Sequence, residues 1–191
     1  MTGPSPLSKN IWRLGNGYIN SYLLQGKKAA LLAEAGISAT AHLIIQQLRT
    51  LRITPDYIVI THPHADHVTG LPWLRQAFPQ AQILAHLESA DFLKNPKLTA
   101  GFPQEDQHMT RFLEDRGLVS GSPCLNETLE LEPYQKISSE AEQMDLGELA
   151  VRFIKVQGHA PGHLLLHVPH DQVVLASDAL GFLYGSSDCL P

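Results

Sequence analysis

The chain carries the sequence YIVITHPHADH at residues 57–67, and the interpretation of the other segments starts from it. Its first part, Tyr57 to Ile60, is apolar and rich in β-branched residues, which predicts a buried strand. The six positions 62–67 hold His62, His64, Asp66 and His67. Imidazole nitrogens combined with a carboxylate are the ligands that zinc and related divalent ions prefer. The segment therefore predicts a strand that ends in a metal site.

The backbone of this segment restricts which ligands share one ion. Pro63 disfavours the helical conformation for His62, so the segment begins extended. In an extended chain His62 and His64 project to the same side, which suits a single ion. Asp66 and His67 are adjacent and point apart unless the chain turns, and we expect a helix from Val68 to supply that turn. Asp66 and His67 are then available to a second ion.

The elements around this segment predict an α/β protein. Short apolar segments separated by glycines predict three strands before it, and a 3.6-residue stripe predicts a helix from Ser38. After it, Pro72 marks the start of a short helix, and a further strand follows. Because strands and helices alternate, this half is predicted to form a layered sheet. The predicted strands are 11–14, 19–24, 29–32, 57–60 and 82–85, and the helical stripe is Leu43, Ile44, Leu48 and Leu51.

Residues 87–135 interrupt this alternation and are interpreted as a helical insertion. A helix is predicted at 87–93, and another begins at Pro103 and stops before Gly117. A loop is predicted at 121–123. An apolar stripe in the insertion either roofs the metal site or packs on the core. It consists of Phe92, Leu98, Phe102, Met109, Phe112 and Leu113.

Strands return in the last third of the sequence, and two further polar motifs follow predicted strands. Strands are predicted at 137–139, 149–156, 164–168 and 173–176, with a hairpin turn at 169–171. The motif Gly158-His159-Ala160-Pro161-Gly162-His163 follows the second of these strands, and Ser177-Asp178 follows the last. Taken alone, His159 is a loop histidine and Asp178 a turn aspartate. Beside the 62–67 motif, both become candidate metal ligands.

The other histidines have weaker claims. We expect His163 to brace its loop or to orient a ligand, since metal-binding imidazoles are held by neighbouring groups. A site role is left open for His86, which follows a predicted strand. No role is assigned to the remaining histidines, although His108 in the insertion could face the site. These are His42, His108, His167 and His170.

Together, the three motifs resemble those of the metallo-β-lactamase-fold superfamily: His62-x-His64-x-Asp66-His67, the glycine-flanked His159 motif, and Ala176-Ser177-Asp178. The resemblance implies a four-layer αββα sandwich carrying the helical insertion. It implies that His62, His64 and His159 hold one ion, that Asp66 and His67 hold a second, and that Asp178 lies between the two. We expect two divalent ions, with zinc favoured and iron or manganese left open.

The activity that the resemblance implies is hydrolysis by a metal-activated hydroxide, with Asp66 as the catalytic residue that orients it. We expect an ester, lactone or thioester as substrate. One alternative is a mononuclear iron enzyme similar to the persulfide dioxygenases, built on His62, His159 and Asp178. Another is an inactive, truncated metal-binding fragment.

The sequence departs from the family pattern at its end. Members usually supply another histidine to the second ion from beyond the bridging aspartate, whereas no histidine follows His170 and the sequence ends at Pro191. We therefore expect that the second half of the fold is incomplete. Either the chain is a truncated form of a longer protein or a partner chain completes it.

Composition sets the remaining expectations. The 191 residues are 43% hydrophobic and 17% charged, which predicts one globular domain over 1–191. The net charge of −5 argues against a nucleic-acid partner. The absence of a long apolar run, of a signal peptide and of a disulfide framework favours a cytoplasmic protein without membrane contact. A small-molecule substrate is expected, and a homo-oligomer is left open.

Overall fold

The computed structural model describes residues 3–120, 123–125, 129, 134–137, 141–180, 182–184 and 188–190. The strands are β1 (Ser5–Pro6), β2 (Ile11–Gly15), β3 (Asn20–Gln25), β4 (Ala30–Ala33), β5 (Tyr57–Ile60), β6 (Gln82–His86), β7 (Gln135–Ile137), β8 (Ala141–Asp145), β9 (Ala150–Val156), β10 (His163–Val168), β11 (Val173–Leu175), β12 (Phe182–Tyr184) and β13 (Asp188–Leu190). The helices are α1 (Ser38–Leu51), α2 (Ala65–Val68), α3 (Leu71–Ala77), α4 (Leu87–Leu93), α5 (Pro96–Thr99) and α6 (Phe102–Glu114), and a 3-10 helix spans Ser177–Leu180. None of the helices in these ranges is long and apolar enough to cross a bilayer.

The first sheet has seven strands in sequence order, from β1 to β7. Strands β1 to β4 pair antiparallel, and β4 to β7 pair parallel. The carboxyl ends of parallel strands lie at the same edge of a sheet, and that edge is where ligands bind in open α/β sheets. At this edge the chain leaves the sheet after β4, β5 and β6, through residue 34, residues 61–67 and the segment from residue 87 onward.

The second sheet is antiparallel, with the order β11-β10-β9-β8. It packs against the first sheet through a buried core that includes Leu31, Val59, Phe153 and Leu166. On the opposite face of the first sheet, Ile44 and Leu48 of α1 and Leu74 of α3 pack against Leu32 and Ile58. The described residues therefore form helix, sheet and sheet layers, with both faces of the first sheet buried.

Most predicted elements are confirmed, including the strands around the 57–67 segment, α1, α4, α6 and the hairpin between β10 and β11. The helix expected from Val68 begins earlier, at Ala65, so Asp66 and His67 lie within its first turn. Ser5–Pro6, ahead of the first predicted strand, form β1. Strand β8 and helix α5 were not predicted. The loop at 121–122 and the strand end at 138–139 fall outside the described residues.

Two of the strands that the sequence did not predict, β1 and β8, are edge strands, and the other two, β12 and β13, pair with each other. β1 is two residues long and contains Pro6, and it pairs only with β2. β8 has the sequence AEQMD and pairs only with β9. An edge strand needs no continuous apolar face, because one side of it pairs and the other does not. Neither segment therefore carries a recognisable hydrophobic pattern.

The insertion packs mainly on the core. Phe102 and Leu113 are buried, and Phe92 and Met109 pack against buried clusters. Phe112 and Leu98 remain exposed. Of the two uses considered for the apolar stripe, core packing accounts for most of its residues.

A single buried carboxylate joins the insertion to the rest of the fold. Asp106 of α6 is fully buried and accepts hydrogen bonds from the Ser38 amide (2.9 Å), the Thr69 hydroxyl (2.6 Å) and the Leu125 amide (3.0 Å). The Ser38 hydroxyl also donates to it. Four donors satisfy the charge, so α6 is held against the start of α1 and the end of α2.

We expect Asp106→Asn to lower the free energy of unfolding by about 2–3 kcal/mol, because an amide group would face donors and leave buried groups unpaired. Urea unfolding followed by circular dichroism measures this change. The matched control is Asp91→Asn, at an exposed position of α4, which should change the value by less than about 0.5 kcal/mol. Equal effects of the two substitutions would contradict the anchoring role.

Candidate metal centre

The site lies where the two sheets meet, at the carboxyl edge of the parallel strands. β5 leads into His62 and His64, and the first turn of α2 carries Asp66 and His67. The loop between β9 and β10 carries His159, and the 3-10 helix after β11 carries Asp178. The structure thus brings together all six residues selected from the sequence.

The first group of donors consists of His62, His64 and His159, whose ligand atoms all lie within 4.8 Å of one another. His159 Nε2 is 3.1 Å from His64 Nδ1. Two nitrogens bound at zinc distances in a tetrahedral site are about 3.3 Å apart. The spacing of these imidazoles is therefore that of ligands to one small ion.

The second group consists of Asp66, His67 and Asp178. His67 Nε2 lies 3.3 Å from Asp66 Oδ2 and 3.4 Å from Asp178 Oδ2. The same Asp178 oxygen is 3.6 Å from His159 Nε2 and 3.8 Å from His62 Nε2. Asp178 therefore lies between the two groups, in the position that a shared ligand requires.

The residues present fit a divalent ion. Buried polar atoms in proteins almost always have a partner, yet His62 Nε2 is buried without a hydrogen bond, and the buried His67 nitrogens face the carboxylate oxygens of Glu34, Asp66 and Asp178. The donor set, imidazoles with carboxylates, matches zinc and similar transition ions. A bound cation would give His62 Nε2 a partner and would offset the negative charge of the carboxylates around His67.

The electrostatic environment keeps several imidazoles neutral. Burial, followed by the neighbouring His67 and His163, holds the pKa of His62 far below its usual range. Burial likewise lowers the pKa of His64, and it lowers that of His163 to about 4. A neutral imidazole has a free lone pair, which is the form that binds a metal.

His67 has the opposite environment. Burial alone would lower its pKa, but the carboxylates of Glu34, Asp178 and Asp66 outweigh burial and raise the pKa well above its usual value. Interaction with His67 in turn lowers the pKa of Asp178. This part of the site is therefore rich in negative charge and favours a cation.

Glu34 belongs to the site and was not selected from the sequence. It is buried directly after β4, and its Oε1 accepts hydrogen bonds from Thr61 (2.6 Å) and Ser177 (2.8 Å). Its Oε2 is 3.1 Å from His67 Nδ1. Metal-binding histidines are commonly oriented by such a carboxylate. The available sequence signal was an acidic residue at the end of a wholly apolar strand.

Helix α4 holds the loop that carries His159. The buried Ser89 hydroxyl lies 2.9 Å from the Pro161 carbonyl oxygen and 3.0 Å from that of Gly162. The Gly162 amide donates to Glu88 Oε2 (3.1 Å), and Lys155 pairs with the other oxygen of Glu88. The first turn of the insertion therefore positions one of the candidate ligands.

The remaining histidines near the site have supporting positions. His163 is fully buried and stacks on His62, with ring centroids 4.5 Å apart, which fits the expected role of orienting a ligand. His86 Nδ1 accepts a hydrogen bond from the Glu88 amide at the start of α4. His108 lines a cavity beside Asp66.

Two cavities border Asp66. One, of about 370 Å³, includes Glu34, His67 and Asp178 and extends along the β2–β3 turn. The other, of about 500 Å³, follows α6 and includes His108 and Arg111. A small molecule in either cavity would contact Asp66 directly.

The family model of the metallo-beta-lactamase superfamily matches residues 14–183. The chain belongs to this superfamily, as its three motifs predicted. Its members are mostly hydrolytic metalloenzymes that typically bind divalent metals.

Two curated relatives match at low identity. The metallo-beta-lactamase fold-containing protein ST1585 of Sulfurisphaera tokodaii is 29% identical over 84% of this chain and 56% of the relative. A hydroxyacylglutathione hydrolase of Ruegeria pomeroyi is 26% identical over 65% of this chain and 34% of the relative. The chain thus spans about half, or less, of the length of these relatives.

A solved structure shows the same fold. A HARLDQ-motif mutant of a metallo-beta-lactamase from Cronobacter sakazakii superimposes with a TM-score of 0.66 at 23% identity, over 91% of this chain and 62% of that chain. The predicted α/β metallo-β-lactamase-like architecture is therefore confirmed. These comparisons support a metal-dependent hydrolase and leave its substrate open.

We expect His62→Ala and His159→Ala to remove most of the bound metal, because each takes one imidazole from the first group. Elemental analysis of the zinc-loaded, desalted protein gives the metal content per chain. His42→Ala is the control, since His42 is exposed on α1. Full metal content in either site variant would show that the ligand assignment is wrong.

Gly162→Ala tests the positioning of the His159 loop. An added Cβ would lie 2.7 Å from His86 Nδ1 and from both the amide nitrogen and hydroxyl of Ser89, and the φ angle is +64°. We expect a loss of stability of about 2–4 kcal/mol and weaker metal retention, because the loop must move. Thermal unfolding and metal content after dialysis measure both effects.

Gly117→Ala is the matched control for that substitution. Its φ angle of +66° is nearly the same, but nothing lies within 4 Å of the added atom. It should lower the free energy of unfolding by only about 1 kcal/mol, because alanine disfavours a positive φ angle, and it should leave metal binding unchanged. If Gly162→Ala behaves like Gly117→Ala, helix α4 does not determine the position of His159.

Proposed function

We propose that the protein is a metal-dependent hydrolase that cleaves an ester, lactone or thioester. The observation that carries this proposal is the position of Asp178, whose Oδ2 lies within 3.8 Å of nitrogens from both donor groups. His62, His64 and His159 would hold one ion, Asp66 and His67 a second, and Asp178 would be shared. An ion in such a site polarises a substrate oxygen and lowers the pKa of water from about 16 to roughly 7.

Asp66 is proposed as the catalytic residue. Its side chain is partly exposed and borders both cavities, so it can reach a water molecule and a substrate together. Burial would raise its pKa, but interaction with His67 outweighs burial and lowers it. The carboxylate is therefore ionised and can orient the attacking water.

The reaction balances as a simple hydrolysis. The water oxygen forms a bond to the acyl carbon, and the bond from that carbon to the leaving sulfur or oxygen breaks. The products are a carboxylic acid and a thiol or alcohol, which takes up one proton. A ring-opened hydroxy acid is the single product from a lactone.

The thioester within this class is supported by the match to a hydroxyacylglutathione hydrolase, a protein named for thioester-type substrates. The identity is low and the match covers about a third of that relative, so the match carries a substrate class and not a particular compound. We propose zinc as the metal, because imidazole and carboxylate donors in these two groups suit it.

We expect Asp66→Asn to reduce hydrolysis about 100-fold or more, because a neutral amide is a poorer ligand for the second ion and orients the attacking water less well. Its midpoint of thermal unfolding should change little, since the side chain is partly exposed. Release of thiol from a model thioester, followed with a chromogenic thiol reagent, measures turnover. Asp91→Asn serves as the control. Unchanged turnover in Asp66→Asn would count against its catalytic role.

Metal analysis separates this proposal from the two alternatives. Protein produced in zinc-rich and iron-rich media is analysed for metal and assayed with ester, lactone, thioester, β-lactam and phosphodiester substrates. Zinc-dependent acyl hydrolysis supports the proposal. Iron content with oxygen uptake on a persulfide supports the iron enzyme, and less than one tightly bound ion with no turnover supports an inactive fragment.

A further inference from the structure

We propose that the protein has a second binding site, for a small organic phosphate, at the edge of the first sheet opposite the metal centre. The phosphate group would lie against Arg49 and Arg52, and the organic group would pack on the apolar surface around Phe78. These three residues line a different cavity from the two beside Asp66. The inference is therefore independent of the proposed hydrolysis.

Helix α1 separates the two sites. It begins at Ser38, which Asp106 binds beside the carboxyl edge of the parallel strands, and it ends at Leu51. Arg49 lies in its last turn, and Arg52 directly follows it. Because an α-helix rises 1.5 Å per residue, the ends of this helix are about 20 Å apart. A small ligand bound at the arginines cannot reach the metal centre.

The side chain of Arg52 is not explained by the way α1 ends. Its φ angle of +58° and ψ angle of +39° lie in the left-handed region that favours glycine. The helix is closed by backbone hydrogen bonds, from the Arg52 amide to the Arg49 carbonyl oxygen and from the Ile53 amide to that of Leu48, both 3.0 Å. Glycine would make the same bonds with less strain, so capping alone does not call for arginine.

The two guanidinium groups lack anionic partners. Arg49 and Arg52 are exposed, and neither guanidinium forms an ion pair or a hydrogen bond with any residue that the structure describes. Positive charge near the carboxyl end of a helix is favourable, but two positive groups beside the same cavity also repel each other. A phosphate between them would remove this repulsion, because guanidinium groups bind phosphate oxygens in pairs.

The cavity that both arginines line combines charge with an apolar wall. Its volume is about 450 Å³, and Ile53 and Phe78 contribute apolar surface to it. Phe78 is buried and Ile53 packs against the same core cluster, so the wall is held in place by the core. Thr54 adds a hydroxyl group to the lining. An apolar wall with a few polar groups is typical of small-molecule sites, and this one suits a phosphate that carries a ring.

The charges of this region favour an anion. An adjoining cavity of about 620 Å³ shares residues 78–81 with the first and includes Arg75 and Tyr134, and the Lys94 ammonium lies 4.8 Å from the centroid of the Tyr134 ring. The described lining of these two cavities contains no aspartate or glutamate. The chain as a whole carries a net charge of −5. An anion is therefore attracted to this region and repelled by much of the remaining surface.

The test is a titration of zinc-loaded, isotope-labelled protein with phenylphosphonate, followed through the backbone amide signals in NMR spectra. Phenylphosphonate has a carbon–phosphorus bond that a hydrolase does not cleave. We expect saturable shifts at residues 49–54 and 77–83, and about tenfold weaker binding of inorganic phosphate there, because it has no ring to bury. Binding to zinc is distinguished by shifts at residues 62–67. Shifts confined to the zinc ligands, or equal affinities of the two anions at the arginines, would overturn the inference.

Arg52→Gly separates ligand binding from stability. It should weaken phenylphosphonate binding at this site about tenfold, because one charge-assisted contact is lost. It should leave the midpoint of thermal unfolding unchanged or higher, since glycine accepts the positive φ angle. Arg49→Gln should weaken binding to a similar extent.

The matched control is Arg152→Gln, at an exposed arginine on β9 of the second sheet. It changes the net charge of the chain by the same amount and should leave the affinity for phenylphosphonate unchanged. If Arg52→Gly and Arg49→Gln bind phenylphosphonate as the wild-type protein does, or if Arg152→Gln weakens binding equally, the site is not at these arginines. The result does not depend on whether any ester, lactone or thioester is hydrolysed.

Discussion

The structure depends on a set of buried ligand atoms, imidazole nitrogens and carboxylate oxygens, that face one another at the metal centre. His62, His67 and Glu34 lie between the two sheets, and their nitrogen and carboxylate lone pairs converge. Burying such groups costs free energy unless a cation or hydrogen bonds compensate. A divalent ion at this position would satisfy several of them at once. Folding of the two sheets and metal binding are therefore expected to be coupled, as in other proteins whose ligands come from distant segments.

The sequence predicts the parallel half of the fold and most of the candidate metal ligands, because both leave local patterns in the sequence. The apolar run 57–60 and the closely spaced His62, His64, Asp66 and His67 are readable without any tertiary information. Glu34 and Ser89 leave no such pattern. Glu34 is a lone acidic residue next to Ala33, Ala35 and Gly36. Nothing in the sequence distinguishes Ser89 from other helical serines, because its contacts with the His159 loop form only in the folded chain. Their roles arise only from contacts between segments far apart in the chain. The edge strands β1 and β8 were missed for a related reason, since neither has an apolar face to recognise.

The helical insertion contributes to the site at three points, although most of its apolar residues pack on the core. Its first turn fixes the loop of His159, Asp106 ties α6 to the segment after α2, and Phe112 steadies the ring of Tyr18. An element that interrupts the sheet order can therefore determine ligand position and pocket shape together. Of the two uses left open for the apolar stripe, core packing therefore accounts for most of its residues, and Phe112 is exposed beside Tyr18.

Glu34 and Ser177 both adopt left-handed backbone conformations, with φ angles of +71° and +48°, and a hydrogen bond joins them across the gap between the sheets. Few residues other than glycine tolerate this conformation, so each is held there by its surroundings. Glu34 follows β4 of the first sheet and Ser177 follows β11 of the second. Their hydrogen bond therefore joins the two sheets, as the contact between His67 and Asp178 also does. Replacing the Glu34 carboxylate would therefore disturb the junction of the two sheets and the orientation of His67 together, because one of its oxygens contacts Ser177 and the other contacts His67.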